Sequence, residues 1–186
     1  MGSDTVLTSN PVTVDLRYPI GRYSPPTQFS AEHREQWIGE LASLPSKMRA
    51  VVSGLNDSQL DTPYRPGGWT IRQVVHHVPD SHMNSYVRCR LALTEHSPTI
   101  KPYDEAAWAE LADAKTATIE ASLLLLEALH ERWLALLRSL SEKDFQRTFR
   151  HPELGEVTLD WSLGLYAWHS RHHVAQIRRL RERERW

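Results

Sequence analysis

Apolar positions recur at helical spacing in four long stretches of the chain. Trp37, Ile38, Leu41, Leu44, Met48, Val51, Val52 and Leu55 mark one face of a first helix, with Ser30 placed to cap it. Pro45 lies inside that stretch. A proline removes one helical hydrogen bond and crowds the preceding turn, so a kink or a split is expected there. Thr70 and Gln73 form a capping-box pattern that opens a second helix running to about Glu95. Pro79 sits within it, and a local bend next to His77 is expected. Thr118 is positioned to cap a third helix over Ile119 to Ser139, whose stripe is Leu123, Leu126, Leu129, Trp133, Leu136 and Leu140. A fourth runs from about Leu159 to Arg183, where Gly164 permits a close helix–helix approach.

The connections carry their own signals. Asn56 to Gly68 reads as a loop with a single turn at Asp57 to Leu60 and a firm break at Pro66-Gly67-Gly68. Ser97 to Tyr103 is extended, and Asp104 caps a short helix through Leu111. Ser141 to Asp144 makes one further turn. Alternation around Pro152-Glu153-Leu154-Gly155 predicts a small hairpin between Arg147 and Leu159. Residues 1–29 hold Pro11, Pro19, Pro25 and Pro26, which predicts an irregular arm anchored by Tyr18, Ile20 and Tyr23. The expected architecture is therefore all-α: one four-helix bundle over residues 30–186, preceded by that arm.

Composition narrows the function classes. The 186 residues are 40% hydrophobic, which suits one domain with a real core rather than a disordered chain. Lysine plus arginine (22) nearly balances aspartate plus glutamate (23), so neither nucleic acid nor an anionic membrane surface is expected as a partner. The basic stretch Arg178 to Arg185 reads as a solvated helix end. No apolar run reaches transmembrane length and no signal-peptide pattern opens the chain. Met1-Gly2 lacks the Ser or Thr of a myristoylation motif, because position 6 is Val6. Cys89 is the single cysteine, read as a small buried hydrophobe in a reducing, cytoplasmic compartment.

Candidate chemistry resides in the histidines. His169 and His173 are four residues apart, a spacing that stacks two imidazoles on one helix face and lets them share one ion. His77, in the second helix, is a third candidate. By spacing alone His172 can replace His173 and His76 can replace His77, while His82 lies about 140° round the helix from His77. His33, His96, His130 and His151 have no partner at ligand spacing. The competing reading is a set of half-buried histidines bonded to their neighbours. Against it stand two polar stripes on helices that must also face a core: Tyr166, His169, His173 and Gln176 on one, His77, Asp80, Ser81 and Asn84 on the other. A metal with hydrogen-bonded supports satisfies both stripes together. Three ligands leave an open position, which favours an enzyme over a closed structural site. Asp80, one turn from His77, is a candidate base, a supporting residue or a solvated helix residue. Asn84, Tyr166 and Gln176 are candidates to orient a ligand, and Arg88 to pair with an anionic substrate group.

Several stretches resemble a known family: Tyr18-Pro19-Ile20-Gly21, Leu60-Asp61-Thr62-Pro63-Tyr64-Arg65, Gly67-Gly68-Trp69-Thr70-Ile71-Arg72-Gln73-Val74-Val75-His76-His77, Asp80-Ser81-His82-Met83-Asn84-Ser85-Tyr86, and Gly164-Leu165-Tyr166-Ala167-Trp168-His169-Ser170 continuing through His172-His173. From about Tyr18 to the C-terminus the chain resembles the DinB superfamily, specifically its YfiT-like metal-dependent hydrolases. The resemblance implies a four-helix bundle holding one divalent ion on His77, His169 and His173, and a homodimer as the expected assembly; three imidazoles suit zinc, nickel, cobalt or iron(II), of which zinc or nickel is expected. It implies either a hydrolase or an S-transferase for a low-molecular-weight thiol, since some DinB relatives resemble bacillithiol transferases. A non-catalytic metal-binding bundle is the alternative. Pro79 departs from the pattern, where an ordinary helix former such as alanine is expected.

Overall fold

A computed structural model describes residues 15–186; the readings that rest on Met1, Gly2, Val6 and Pro11 lie outside them. The four long helices are α1 (Ala31–Val52), α3 (Ile71–Thr94), α6 (Ile119–Arg138) and α8 (Leu159–Glu184). Between them lie α2 (Asp57–Leu60), α4 (Glu105–Ala109), α5 (Ala112–Thr116), α7 (Glu142–Phe145) and a hairpin of β1 (Thr148–His151) with β2 (Gly155–Thr158).

Most helix starts have the predicted chemistry. Ser30 accepts from the His33 amide, and Thr70 with Gln73 closes a reciprocal capping box. Asp104 accepts from the Ala107 amide as expected, and Thr158, for which no capping role was predicted, accepts from the Trp161 amide. Thr118 occupies the position before α6 without a side-chain capping bond. The helix opened by Asp104 ends at Ala109 rather than Leu111, and α5 follows it, an element the sequence pattern did not predict. In the hairpin, Phe149 faces Val157 in antiparallel register and both are buried.

Neither internal proline ends its helix. Both α1 and α3 run unbroken through Pro45 and Pro79, so the split considered at Pro45 does not occur. Burial on both sides of Pro45 (Leu41, Leu44 and Met48 are at most 1% exposed) outweighs the one lost backbone bond. The Leu41 carbonyl, four residues before Pro45, is left without its helical donor.

The core divides into two apolar clusters at successive levels of the bundle. Leu41, Tyr86, Leu129, Trp133 and Ala167 belong to one; Leu44, Val78, Leu126 and Ile177 belong to the other. Between these levels each helix but α1 inserts a histidine: His82 on α3, His130 on α6 and His169 on α8. A polar layer therefore crosses the bundle.

Other contacts fix α8. Arg34 donates bidentately to Asp160, Nε to Oδ1 at 2.7 Å and a terminal nitrogen to Oδ2 at 2.8 Å, in a buried pair joining α1 to α8. Gly164 lies where an added Cβ would stand 2.5 Å from the Tyr23 hydroxyl and 3.0 Å from the Trp37 ring, so the close approach needs glycine. The described part of the arm crosses α8: Trp168 donates to the Gly21 carbonyl and Tyr23 to the Trp161 carbonyl. Ile20, expected as an anchor, is exposed. Among the described residues no helix is long and apolar enough to cross a membrane. Cys89 is buried, which pushes its thiol up to about 11 and keeps it unreactive.

Candidate metal centre

The helix starts set the register of the site. With α3 opening at Ile71, His77 falls on the face towards α8, where His169 and His173 stand one turn apart. One ring nitrogen from each of the three lies within 4.8 Å of the others. His169 Nε2 is 3.0 Å from His173 Nε2 and 3.3 Å from His77 Nε2. Two ligands about 2.0–2.1 Å from one tetrahedral ion are roughly 3.4 Å apart, so the donor set fits a single cation.

The alternatives left open by spacing resolve into other partners. His76 turns to α6, with Nδ1 2.7 Å from the Ser122 hydroxyl. His172 stacks on Trp168 at 4.6 Å and lies 2.9 Å from the Gln176 amide nitrogen. That nitrogen also donates to the Arg17 carbonyl at 3.2 Å. The Gln176 oxygen is thereby turned to His173, accepting from Nδ1 at 2.9 Å and leaving Nε2 as the ligand atom. Burial holds all three rings neutral, the metal-binding form: His77 is pushed down to about 4, chiefly by desolvation and then by His172, and His169 and His173 fall well below the usual value.

A cavity of about 550 Å³ opens over these nitrogens. Its walls include Trp69, Tyr103, Tyr166 and Trp168, and Arg17, Arg65 and Arg88 contribute cations. Tyr166, Gln176 and Arg88 are among the lining side chains. Asp80 and Asn84 are not among the lining side chains. A helix turns about 100° per residue, so Ser81, four on from His77, stays on its face while Asp80 swings away. Burial, with the neighbouring Asp113 carboxylate, pushes Asp80 up to about 6. Asn84 donates to the Asp80 carbonyl within its own helix. Ser81 lines the cavity in their place and donates to the Tyr166 hydroxyl at 3.4 Å.

Two further histidines lie behind the site, His82 and His130, and of these His130 was missed as a participant. His82 Nε2 lies 3.1 Å from His169 Nδ1, and His82 Nδ1 lies 2.9 Å from His130 Nε2. His130 Nδ1 is 2.8 Å from the Leu41 carbonyl. The signal for His130 was present: it follows Leu126 by four and precedes Trp133 by three, on the buried stripe of α6.

This burial predicts acid sensitivity. Desolvation pushes His130 down to about 4 from 6.5, against the opposing bond to Leu41. Between those values the unfolded chain binds a proton that the folded one refuses, so stability is complete above about pH 6.5 and is lost as the pH falls towards 4. His130 alone accounts for roughly 3 kcal/mol. Urea midpoints of metal-free protein at pH 7, 5.5 and 4 should fall accordingly; a flat profile would contradict a neutral buried imidazole.

Residues 40–177 match the sequence profile of the DinB superfamily. The chain belongs to that superfamily. This DinB chain is 55% identical over 175 residues to "Putative metal-dependent hydrolase YfiT" of Bacillus subtilis (strain 168), covering 94% of this chain and 98% of the relative. A Bacillus cereus (strain 03BB102) protein named "Putative metal-dependent hydrolase" is 55% identical over 172 residues, 92% of this chain and 99% of its own. The solved structure of B. subtilis YfiT, described as a probable metal-dependent hydrolase with an unusual four-helix bundle topology, superposes with a TM-score of 0.90 over 92% of this chain and 98% of that one. TT2238, described as a four-helix bundle protein, shares the fold at 20% identity, with a TM-score of 0.54 over 76% of this chain and 94% of its own.

Proposed function

We propose that the protein is a mononuclear metal-dependent hydrolase of small molecules, with His77, His169 and His173 holding one zinc or nickel ion. The observation that carries this reading is the convergence of three neutral imidazole nitrogens at the floor of an open, aromatic-walled cavity. The names of relatives sharing 55% of the sequence support it. A divalent ion held by three ligands supplies Lewis acidity and an acidified water at its open position.

The chain's own groups divide the remaining work. Gln176 aims His173, and the aromatic walls hold an apolar substrate body out of bulk water. Tyr103 faces the cavity as a neutral hydroxyl, because burial raises its pKa above the usual value. It serves as a donor to a substrate oxygen. Arg88 receives an anionic substituent. Asp80, which does not line the cavity, has no part in this reading, and no carboxylate from α3 is among the lining side chains.

The test begins with elemental analysis of untagged protein never exposed to a nickel column. Hydrolysis of activated esters and amides is then compared in native, chelated and reloaded protein. About one equivalent of metal, with hydrolysis lost on chelation and restored on reloading, is the expected result. Metal-dependent consumption of a low-molecular-weight thiol without hydrolysis would replace this reading by thiol transfer. No metal even after reconstitution would return the three histidines to structural packing.

A further inference from the structure

The polar layer behind the site has a direction. Leu41 offers a carbonyl oxygen, which only accepts, and Pro45 has removed the backbone N–H that would have served it. His130 Nδ1, 2.8 Å away, must therefore carry the proton and donate it. A neutral ring has one N–H, so His130 Nε2 is an acceptor. It faces His82 Nδ1 at 2.9 Å, which must then be the donor. His82 Nε2 is left as an acceptor and faces His169 Nδ1 at 3.1 Å. The opposite order would set two lone pairs against each other at the His82–His130 contact. His82 and His130 are at most 1% exposed, so water offers no alternative partner.

We propose that His130 and His82 are positioning residues that lock His169 in the tautomer with its proton on Nδ1 and its lone pair on Nε2, through a chain anchored on the Leu41 carbonyl. This rests on the metal-site reading above, because it assigns His169 Nε2 as a ligand atom. It goes beyond that reading by tying the ligand's protonation to α1 and α6, neither of which contributes a ligand. The structure holds His173 in the same tautomer by an independent route, through Gln176 and the Arg17 carbonyl. Both α8 ligands are thus set by backbone oxygens of other segments.

The experiment has two arms. Long-range ¹H–¹⁵N spectra of metal-free protein, with His169 assigned by substitution, report which ring nitrogen bears the proton. The expected signature is Nδ1–H at His82, His130 and His169; a proton on Nε2 of His169 would overturn the proposal. The second arm measures Zn²⁺ affinity by chelator competition in His130→Leu and His130→Gln. Leucine removes the acceptor for His82, freeing that ring to reverse and drive the His169 proton onto Nε2. A loss of about 10–100-fold in affinity is expected. Glutamine can donate its amide N–H to Leu41 and accept from His82, so it should remain within a few-fold of the parent. Folded His130→Leu protein with parental affinity, or equal losses in both variants, would overturn the relay. If His130→Leu does not fold, the tautomer spectra of the parent decide alone. A parent that binds no Zn²⁺ would overturn the proposed function instead, and the same spectra would still decide the relay.

Discussion

Replacing His169 with alanine should sharply weaken metal binding while the chain remains folded. His169 is the central member of the set, with its Nε2 within 3.3 Å of both other ligand nitrogens. Its loss leaves two imidazoles on different helices. Spread over four ligands, the roughly 10–16 kcal/mol of a structural zinc site suggests about 3–4 kcal/mol for each, so affinity should fall on the order of 10²–10³-fold. Chelator competition measures this directly. His76→Ala is the informative control: His76 is bonded to Ser122, not to the site, and its variant should load like the parent. If His76→Ala loses metal and His169→Ala keeps it, the ligand set is wrong.

Asp160→Ala should cost roughly 3–5 kcal/mol of stability, a large share of a typical domain's total. The reason is what it leaves behind. Arg34 is 8% exposed, and its charge is met by both oxygens of Asp160; Glu142 approaches only to 3.7 Å from a largely exposed position. Without Asp160 a buried guanidinium is uncompensated. Removing both partners together, as Arg34→Met with Asp160→Leu, should cost much less, because the penalty belongs to the orphaned charge rather than to the pair. Urea midpoints of the two single variants and the double variant test this. A single-variant cost below about 1 kcal/mol would mean that water reaches Arg34.

How much of this was legible without coordinates depended on the kind of signal. The long helices follow from stripes such as Leu41, Leu44 and Met48, and their starts from side chains that cap locally. Local signals survive folding because their partners lie within three residues. The α5 turn was not legible, since Ala112–Thr116 carries no apolar stripe and its preceding residue, Leu111, makes no side-chain cap. Pro45 misled for the opposite reason: its local cost is real, but burial contributed by other helices overrides it. At the site, spacing found the His169–His173 pair, and the family resemblance selected His77 over His76. His130 escaped because no partner stands at ligand spacing from it; its ring instead bonds a ring on another helix. Asp80 follows His77 by three residues, about 60° round the helix from it, and is not among the side chains that line the cavity.

The two apolar clusters and the histidine layer between them have a bearing on how the chain finds its own alignment. A bundle with one uninterrupted apolar seam tolerates slippage, because a helix displaced by a turn of about 5.4 Å still meets apolar neighbours. Here such a displacement would press His82, His130 or His169 against leucines and strand an imidazole N–H without an acceptor. Misaligned packings are therefore penalised at three helices at once, and the freed Leu41 carbonyl extends that penalty to α1. The interruption of the core by imidazoles acts as an axial key: it sacrifices some apolar burial, and in return one longitudinal setting of the four helices stands apart from its neighbours.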